Sequence, residues 1–387
     1  MRARLERDFE RFKRDLPRDF PAHVRETYRI DLAARYLGHP LPHPVGKGSG
    51  QLSLNPAQLE VDADAGLAFA VLKTVIAQDE TGSRSMDAWA LHETRMTVEQ
   101  RRSASGRDGW TVTWKGRGWD RSFDEYLALV RAGRDLARAD RLLVVPSVKY
   151  HLPRIDDAFR EPEYRWTTRA LAEAWGGGSP PLLLEKDFSP TLAGDPLASD
   201  REAILRWLRE VPSLVRAAAP GPVRIAVKLM NARFDDAFQV DMMRAAAEAN
   251  GLVVFNRLFD AGRGVAYGGW DLSERNLRVL DLAAAACRPS VGPPLSGTGN
   301  IHSGRLILDY ARRGCESVQL HTFFQLPLEA YPATEGPRTA RALHVLVFDP
   351  GQGLVAGLLD LEAQGVLERR GGELHFLDVV RLADHAR

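Results

Sequence analysis

The chain has 387 residues, 44% of them hydrophobic, so it is long enough to bury a large core. Its 52 lysines and arginines nearly balance 51 aspartates and glutamates, and the net charge of +1 gives no electrostatic reason to expect nucleic acid or an anionic membrane as a partner. The two cysteines, Cys287 and Cys315, have no metal-ligand spacing, so we expect neither a disulfide framework nor a metal site. The charged start of the sequence and the lack of any apolar run near ~18 residues lead us to expect a cytoplasmic protein.

Residues 1–40 are predicted to form an N-terminal helical extension. Apolar residues recur at helical spacing from Leu5 to Leu16, a proline-containing stretch interrupts them, and a second helical segment is predicted over Val24–Leu37. We interpret the two segments as a helical layer that closes one end of the fold.

From residue 41 to 330 the chain alternates short β-branched runs with helical stretches. We count eight runs, at His43–Gly50, Leu67–Val75, Leu142–Val148, Pro181–Phe188, Val223–Leu229, Leu252–Asn256, Ser290–Gly297 and Val318–Thr322. Helices are predicted between them at Asp124–Ala137, Glu163–Trp175, Asp200–Ala219, Phe238–Ala249, Ser273–Ala286 and Ser303–Arg313. Near-continuous apolar runs are typical of parallel strands that are covered on both faces. The pattern therefore predicts an α/β fold, a (β/α)8 TIM barrel.

Two segments lie outside this count. Residues 95–115 alternate as a β-hairpin would, around a polar turn. The tail, 335–387, is predicted to contain helices over Ala340–Phe348 and Leu354–Gln364 and a hairpin around Gly371–Gly372, which is the outline of a winged helix. Because its second helix lacks basic residues, we favour a role in packing or oligomerisation over DNA binding.

The ends of the predicted strands carry residues suited to an anionic ligand. The first loop, VGKGSG, and the seventh, LSGTGNIHSG, contain glycines that expose backbone N–H groups, and phosphate sites in barrels recur after strands 7 and 8. Lys73 and Lys228 lie within apolar strands, where a buried ammonium group requires an anion or a polar ligand. The alternative is that each lysine extends to the strand end and exposes its charge to water.

Together these segments resemble the dihydroorotate dehydrogenase family and the related flavin barrel of dihydropyrimidine dehydrogenase. LSGTGNIHSG followed by CESVQLHT is similar to the strand 7 and strand 8 flavin-phosphate signature, and HPVGKGSG, AGLAFAVLKTV, IAVKLM, LVVFN and a glycine pair match further strand ends over about residues 43–326. The resemblance implies flavin mononucleotide (FMN) as the cofactor. It implies these binding residues: Gly48, Ser49, Lys73, Thr74, Lys228, Asn256, Gly268, Gly269, Gly299, Asn300, His321 and Thr322.

The resemblance also implies a catalytic base. At the substrate pocket, however, the sequence departs from the family's pattern. The family's base is a cysteine or serine just before a proline after strand 4, which here is Ser189; the alternative is an ordinary loop hydroxyl. Where the family has asparagines around its pyrimidine, the matching positions appear in this sequence as Asp120, Lys186 and Thr191, with Arg257 after the retained Asn256. These changes alter the hydrogen-bonding pattern, so we expect a substrate other than dihydroorotate.

The sequence thus favours an FMN-dependent oxidoreductase that acts on a small polar, anionic or heterocyclic substrate. Two alternatives stay open: a phosphate-binding barrel that works without flavin as an isomerase or lyase, and a non-catalytic regulatory barrel. Asn300 and His321 stand where the family has glycines, and each would either hydrogen-bond a phosphate or crowd it. Relatives in the family often dimerise, which makes a homodimer the default expectation.

Overall fold

The structure is a computed structural model and describes residues 1–86, 96–102, 106, 108–114, 118–188, 200–232, 234–260, 265–268, 270–286 and 292–384. Its α-helices are α1 (Arg2–Phe12), α2 (Phe20–Tyr28), α3 (Pro56–Asp64), α4 (Phe123–Arg138), α5 (Glu161–Trp175), α6 (Arg201–Ala218), α7 (Asp236–Ala245), α8 (Trp270–Ala286), α9 (Gly304–Ala311), α10 (Arg338–Phe348), α11 (Leu354–Ala363) and α12 (Phe376–Arg381). Its strands are β1 (Ile30–Asp31), β2 (Ala34–Tyr36), β3 (His39–Leu41), β4 (Val45–Lys47), β5 (Phe69–Val71), β6 (Val75–Ile76), β7 (Met96–Arg102), β8 (Asp108–Trp114), β9 (Leu143–Val145), β10 (Ser147–Lys149), β11 (Leu182–Phe188), β12 (Val223–Met230), β13 (Gly251–Asn256), β14 (Leu258–Asp260), β15 (Val265–Gly268), β16 (Leu295–Thr298), β17 (Cys315–Leu320) and β18 (Leu374–His375).

Ten of these strands form one curled, parallel sheet in the order β6-β10-β11-β12-β13-β16-β17-β4-β5-β9. Each of the eight predicted runs contributes to it. The second run is divided into β5 and β6, and the third into β9 and β10 on either side of Pro146. All seven residues of β11 are buried, as expected for a strand covered on both faces. The α/β architecture predicted from the sequence is therefore present.

The helices between the strands begin where the sequence supplies capping residues. Ser122 and Glu125 form a reciprocal capping box at α4, and Asp200 and Ser303 cap α6 and α9. Helix α3 was not predicted, although Asn55 caps it and a proline occupies its first turn. No helix in the described part of the chain is both long and apolar enough to cross a membrane.

The N-terminal extension differs from its prediction. Helix α2 ends at Tyr28, because Arg29 takes a left-handed conformation with φ of 57°. The segment predicted as helix over Val24–Leu37 therefore continues as β1 and as the antiparallel pair β2 and β3. Strand β1 pairs in parallel with β18 of the tail, so residues from both ends of the described chain share one small sheet. Such a long-range pairing leaves no local signal in the sequence.

The C-terminal tail packs against the rest of the protein. The His344 ring of α10 stacks on Phe9 of α1, with ring centroids 4.4 Å apart. Helix α11 buries most of its apolar residues. The predicted hairpin is reduced to one bridge between Arg370 and Glu373, which is followed by β18 and then by α12.

The predicted hairpin of residues 95–115 is confirmed as β7 and β8, which pair in antiparallel register from Met96 to Trp114. Two further strands that were not predicted, β14 and β15, extend it into a four-stranded sheet. Because β14 and β15 follow β13, this sheet lies in the connections after the barrel strands. Parallel-barrel sites are built from those connections.

Candidate functional site

A cavity opens at the carboxyl ends of the parallel strands. It encloses about 840 Å³ of space outside protein atoms, part of which is open to solvent. Its lining is polar and comes from several different strand ends: Gly48, Ser49, Gly50, Lys73, Thr74, Asp187, Lys228, Asn256, Arg257, Thr298, Gly299, Asn300, Ile301, Gln319, Leu320, His321 and Thr322.

Lys73 lies between β5 and β6 and is only 4% exposed. Burial, followed by the nearby Arg257 charge, lowers the pKa of its ammonium group to about 8, while Asp120 and Asp187 act in the opposite direction. A buried ammonium group so close to a second cation is poised to meet an anion or an electron-rich acceptor.

Hydroxyl groups line the same side of the cavity. The Ser49 hydroxyl lies 2.9 Å from the Thr74 hydroxyl, which in turn lies 3.0 Å from Ser147 in β10. The Tyr126 hydroxyl donates to the Ser147 carbonyl and accepts from the Ser147 amide, which fixes the far end of this chain. Ser49 and Thr74 are therefore held in place and can either donate to or accept from a ligand.

The floor of the cavity is a closed network of buried polar groups. Lys228 Nζ donates to Glu185 Oε1 at 3.2 Å and to Gln319 Oε1 at 3.1 Å. Gln319 Nε2 donates to the other Glu185 oxygen at 2.8 Å, and the Tyr36 hydroxyl donates to that same oxygen at 3.4 Å. Burial, and secondly the Glu185 charge, raise the pKa of Tyr36 well above its usual value, so Tyr36 remains a donor. Each partner limits the movement of the others.

A second ionic group lies where β11 and β13 end. Arg257 donates to Asp187 Oδ2 at 3.3 Å, and Lys149 Nζ lies 3.7 Å from the same oxygen. Asn256 beside them accepts from the Arg257 backbone N–H through its own side chain. Asn231 in turn donates its backbone N–H to the Asn256 carbonyl at 2.8 Å, which fixes the start of this loop.

The loops after β16 and β17 form the remaining wall. Gly299 has a φ of 109°, which favours glycine, and Asn300 follows with a φ of 52° in the left-handed region. The Asn300 amide nitrogen is buried and has no hydrogen-bond partner among the described residues. Burial, aided by neighbouring cations, lowers the pKa of His321 to about 3, so this ring is neutral.

Comparison with solved structures places this geometry in a known fold. No family profile matches the chain, and no match was found among curated proteins. The structure is similar to that of DHODH from Eimeria tenella in complex with ferulenol, with a TM-score of 0.63 over 97% of this chain and 91% of that chain. The chain has a DHODH-like fold. The two sequences are 15% identical, so the similarity concerns the fold alone.

Most residues expected to bind the cofactor meet in this cavity. The residues brought together are Gly48, Ser49, Lys73, Thr74, Lys228, Asn256, Gly299, Asn300, His321 and Thr322. Gly268 ends β15, where it pairs with Val112 of β8, and Gly269 lies outside the described residues. Ser189 and Thr191 also lie outside the described residues, so their predicted roles remain predictions. Within the described part of the chain, no group of three or more His, Cys, Asp or Glu side chains could hold a metal.

Of the four residues expected to bind substrate, Arg257 lines the cavity and Lys186 does not. The Lys186 ammonium donates to the Asp187 carbonyl and lies 4.9 Å from the centroid of the Phe188 ring, which itself lies near Trp207 of α6. Because side chains alternate along a strand, Lys186 and Phe188 point towards the helices. Asp120 is not a lining residue, but its neighbour Trp119 donates to the Thr74 carbonyl at 2.7 Å.

Sequence reasoning missed the acidic residues of β11. Asp187 lines the cavity, and Glu185 lies beneath it against Lys228. The signal was available, since residues two apart on a strand share a face and a buried strand rarely contains two carboxylates without cationic partners. The resemblance placed the substrate position at Lys186, one residue away.

Gly50 and His321 make a contact that can be tested by mutation. A Cβ atom on Gly50 would overlap the His321 ring. We expect Gly50→Ala to lower the free energy of unfolding by about 1–3 kcal/mol, the usual cost of overpacking. In a His321→Ala background the same change should cost much less, and chemical denaturation of the four proteins measures this coupling. An equal cost in both backgrounds would show that the two residues do not compete for space.

The lowered pKa of Lys73 predicts a pH-dependent stability. The pKa is about 8 in the folded protein against an ordinary value of 10.5, so between these values the unfolded chain binds more protons and stability rises with pH. Below pH 8 the cost of burying the charge is fully present. In the absence of ligand, Lys73→Met should therefore be more stable than wild type at pH 7, by up to about 3 kcal/mol, with the difference vanishing near pH 10.5. Urea denaturation of both proteins across this range measures the difference, and a pH-independent difference would contradict it.

Proposed function

We propose that this protein is an FMN-dependent oxidoreductase. The observation that carries the proposal is the convergence of ten of the twelve residues expected to bind FMN on one cavity at the carboxyl ends of the parallel strands. The DHODH-like fold supports it as an analogy. We also propose that the curled sheet is a closed (β/α)8 barrel spanning 41–330, because β5 pairs with β9 and β6 with β10.

The residues present fit an FMN molecule. Buried ammonium groups of Lys73 and Lys228 face the cavity, where they suit an electron-rich ring system. The Asn300 amide lacks a partner within the described chain, and the adjacent Gly299 leaves the backbone accessible, as expected of a phosphate-binding loop. The neutral His321 ring packs against Gly50, so it can donate or accept a hydrogen bond but brings no charge.

Each group has a distinct role in the proposed reaction. FMN, when bound, supplies two-electron transfer. Lys73 and Lys228 would hold it, Lys73 would favour negative charge in the cavity, and Ser49 and Thr74 would orient it through hydrogen bonds. Ser189, as the resemblance implies, would accept the proton released from the substrate.

The substrate site is proposed at Asn256 and Arg257, with Asp120 near it. A role for Thr191, which lies outside the described residues, rests on the resemblance alone. Arg257 offers only donors, and its counter-ion Asp187 offers only acceptors at neutral pH. A small polar or anionic substrate would therefore meet a charged pair where the family uses neutral amides. Because such a site rejects ligands with the wrong donor pattern by orders of magnitude, we propose that dihydroorotate is not the substrate.

The visible absorption spectrum tests the cofactor proposal. We expect the purified protein, alone or after addition of FMN, to show bands near ~370 and ~450 nm that denaturation releases as free FMN. A colourless protein that takes up no added FMN would overturn the proposal and leave the phosphate-binding or regulatory barrel. Anaerobic bleaching of these bands then provides the assay for screening small cyclic amides and carboxylates as electron donors.

A further inference from the structure

We propose that Glu185 is a positioning residue that neutralises Lys228 beneath the cavity and thereby lowers the reduction potential of bound FMN. This inference rests on the proposed function. Glu185 is fully buried on β11 and is not one of the cavity-lining residues, so it would act through Lys228.

The geometry joins Glu185 to the cavity through two lining residues. Lys228 and Gln319 both line the cavity, and both donate to the Glu185 carboxylate, one to each oxygen. Gln319 also accepts from Lys228, so the three side chains close a triangle. The Tyr36 hydroxyl supports the carboxylate from below, and its ring stacks on Phe69 with centroids 4.7 Å apart. The position of the Lys228 ammonium group is therefore set by Glu185 and Gln319.

The two cavity lysines, Lys73 and Lys228, differ in whether a carboxylate balances their charge. Lys73 has no carboxylate within ion-pair distance among the described residues, whereas Lys228 contacts a carboxylate at 3.2 Å. A lysine paired in this way orients a ligand through its N–H groups but adds little net charge. Reduced FMN carries a negative charge on its ring, so removing the Glu185 charge should favour the reduced form. At an effective dielectric constant of about 20, one unit charge within about 10 Å changes such a preference by roughly tenfold.

The experiment compares the reduction potentials of FMN-loaded variants at pH 7.5, where the ring of reduced FMN carries its negative charge. We expect Glu185→Gln to bind reduced FMN about tenfold more tightly relative to oxidised FMN, which raises the midpoint potential by about 30 mV for a two-electron couple. Glu163→Gln is the matched control, because Glu163 is also buried but bonds to Ser85, and neither residue lines the cavity. Its potential should equal that of wild type.

A second background tests whether Glu185 acts through Lys228. In Lys228→Met protein, Glu185 has no ammonium group to position or neutralise, so adding Glu185→Gln should raise the potential by much less than it does in the wild-type background. If Glu185→Gln does not fold, Glu185→Asp keeps the charge but draws it away from Lys228, and should raise the potential by a smaller amount.

The outcomes separate this inference from the proposed function. Protein that takes up no FMN refutes the proposed function. FMN-loaded Glu185→Gln, or Glu185→Asp in its place, with the wild-type potential refutes the inference alone. An equal rise in Glu163→Gln, or a rise of undiminished size in the Lys228→Met background, refutes it as well.

Discussion

Lys73→Met should bind FMN at least about 30-fold more weakly than wild type, because removing one partner of a buried, charge-assisted contact costs about 2–5 kcal/mol. The side chain lies in the cavity wall, 4% exposed, with Thr74 and Arg257 in the same lining. Methionine keeps the length and the apolar stem but removes the ammonium group. Fluorescence titration of the apoprotein with FMN measures the loss.

Lys186→Met is the matched control for this titration. Lys186 is fully buried, and burial lowers its pKa to about 7, but it is not one of the cavity-lining residues and its ammonium group bonds to the Asp187 carbonyl. This variant should keep wild-type FMN affinity. An equal loss in both variants would mean that Lys73 acts through general stability, and an unchanged affinity in Lys73→Met would remove it from the binding site.

Lys73→Met is expected to weaken FMN binding and, at neutral pH, to stabilise the ligand-free protein. At neutral pH the same ammonium group should destabilise the ligand-free protein, since its burial lowers its pKa to about 8. A residue that is unfavourable for folding and favourable for binding is typical of a functional site. The two measurements on one variant therefore distinguish a ligand-binding lysine from a structural one.

The order of the parallel strands was predictable because each strand carries its own local signal. Runs such as Leu182–Phe188 are apolar and short, and capped helices separate them. The grouping of the strand ends was also predictable, because parallel strands bring their carboxyl ends to one edge of the sheet. Lys73 and Lys228, far apart in sequence, could therefore be expected to meet.

The predictions that were wrong concern features that the local sequence pattern does not determine. Residues after Tyr28 retain helical spacing, but the left-handed conformation of Arg29 and the pairing of β1 with β18 overrule it. The identity of the acidic cavity residue depended on a one-residue register, and Asp187 rather than Lys186 faces inward. The Glu185–Lys228–Gln319 triangle joins three strands and is visible only once the sheet has curled.

A buried ion pair connects the parallel sheet to the C-terminal tail. Lys47 of β4 and Asp62 of α3 form a hydrogen-bonded pair with side-chain exposures of 4% and 1%, and the hydroxyl of Thr339 in α10 donates to the same carboxylate at 2.7 Å. The Lys47 ammonium group also lies 5.0 Å from the centroid of the Phe324 ring, in the short 3-10 helix that begins at Thr322. The tail is thus attached to the segment that also forms one wall of the cavity.

Asp62→Asn should lower the free energy of unfolding by about 3–5 kcal/mol, because it leaves the Lys47 charge buried without its partner. Asp64→Asn is the matched control on the same helix: its carboxylate is 63% exposed and pairs with Arg141, so its loss should cost at most about 1 kcal/mol. The double variant Lys47→Met/Asp62→Leu removes both charges and should recover most of the lost stability. Chemical denaturation measures all three, and hydrogen exchange of the α10 amides shows whether the tail loosens first. Equal losses in Asp62→Asn and Asp64→Asn would show that the buried pair contributes no more than a surface pair, and the tail would then be held by apolar packing alone.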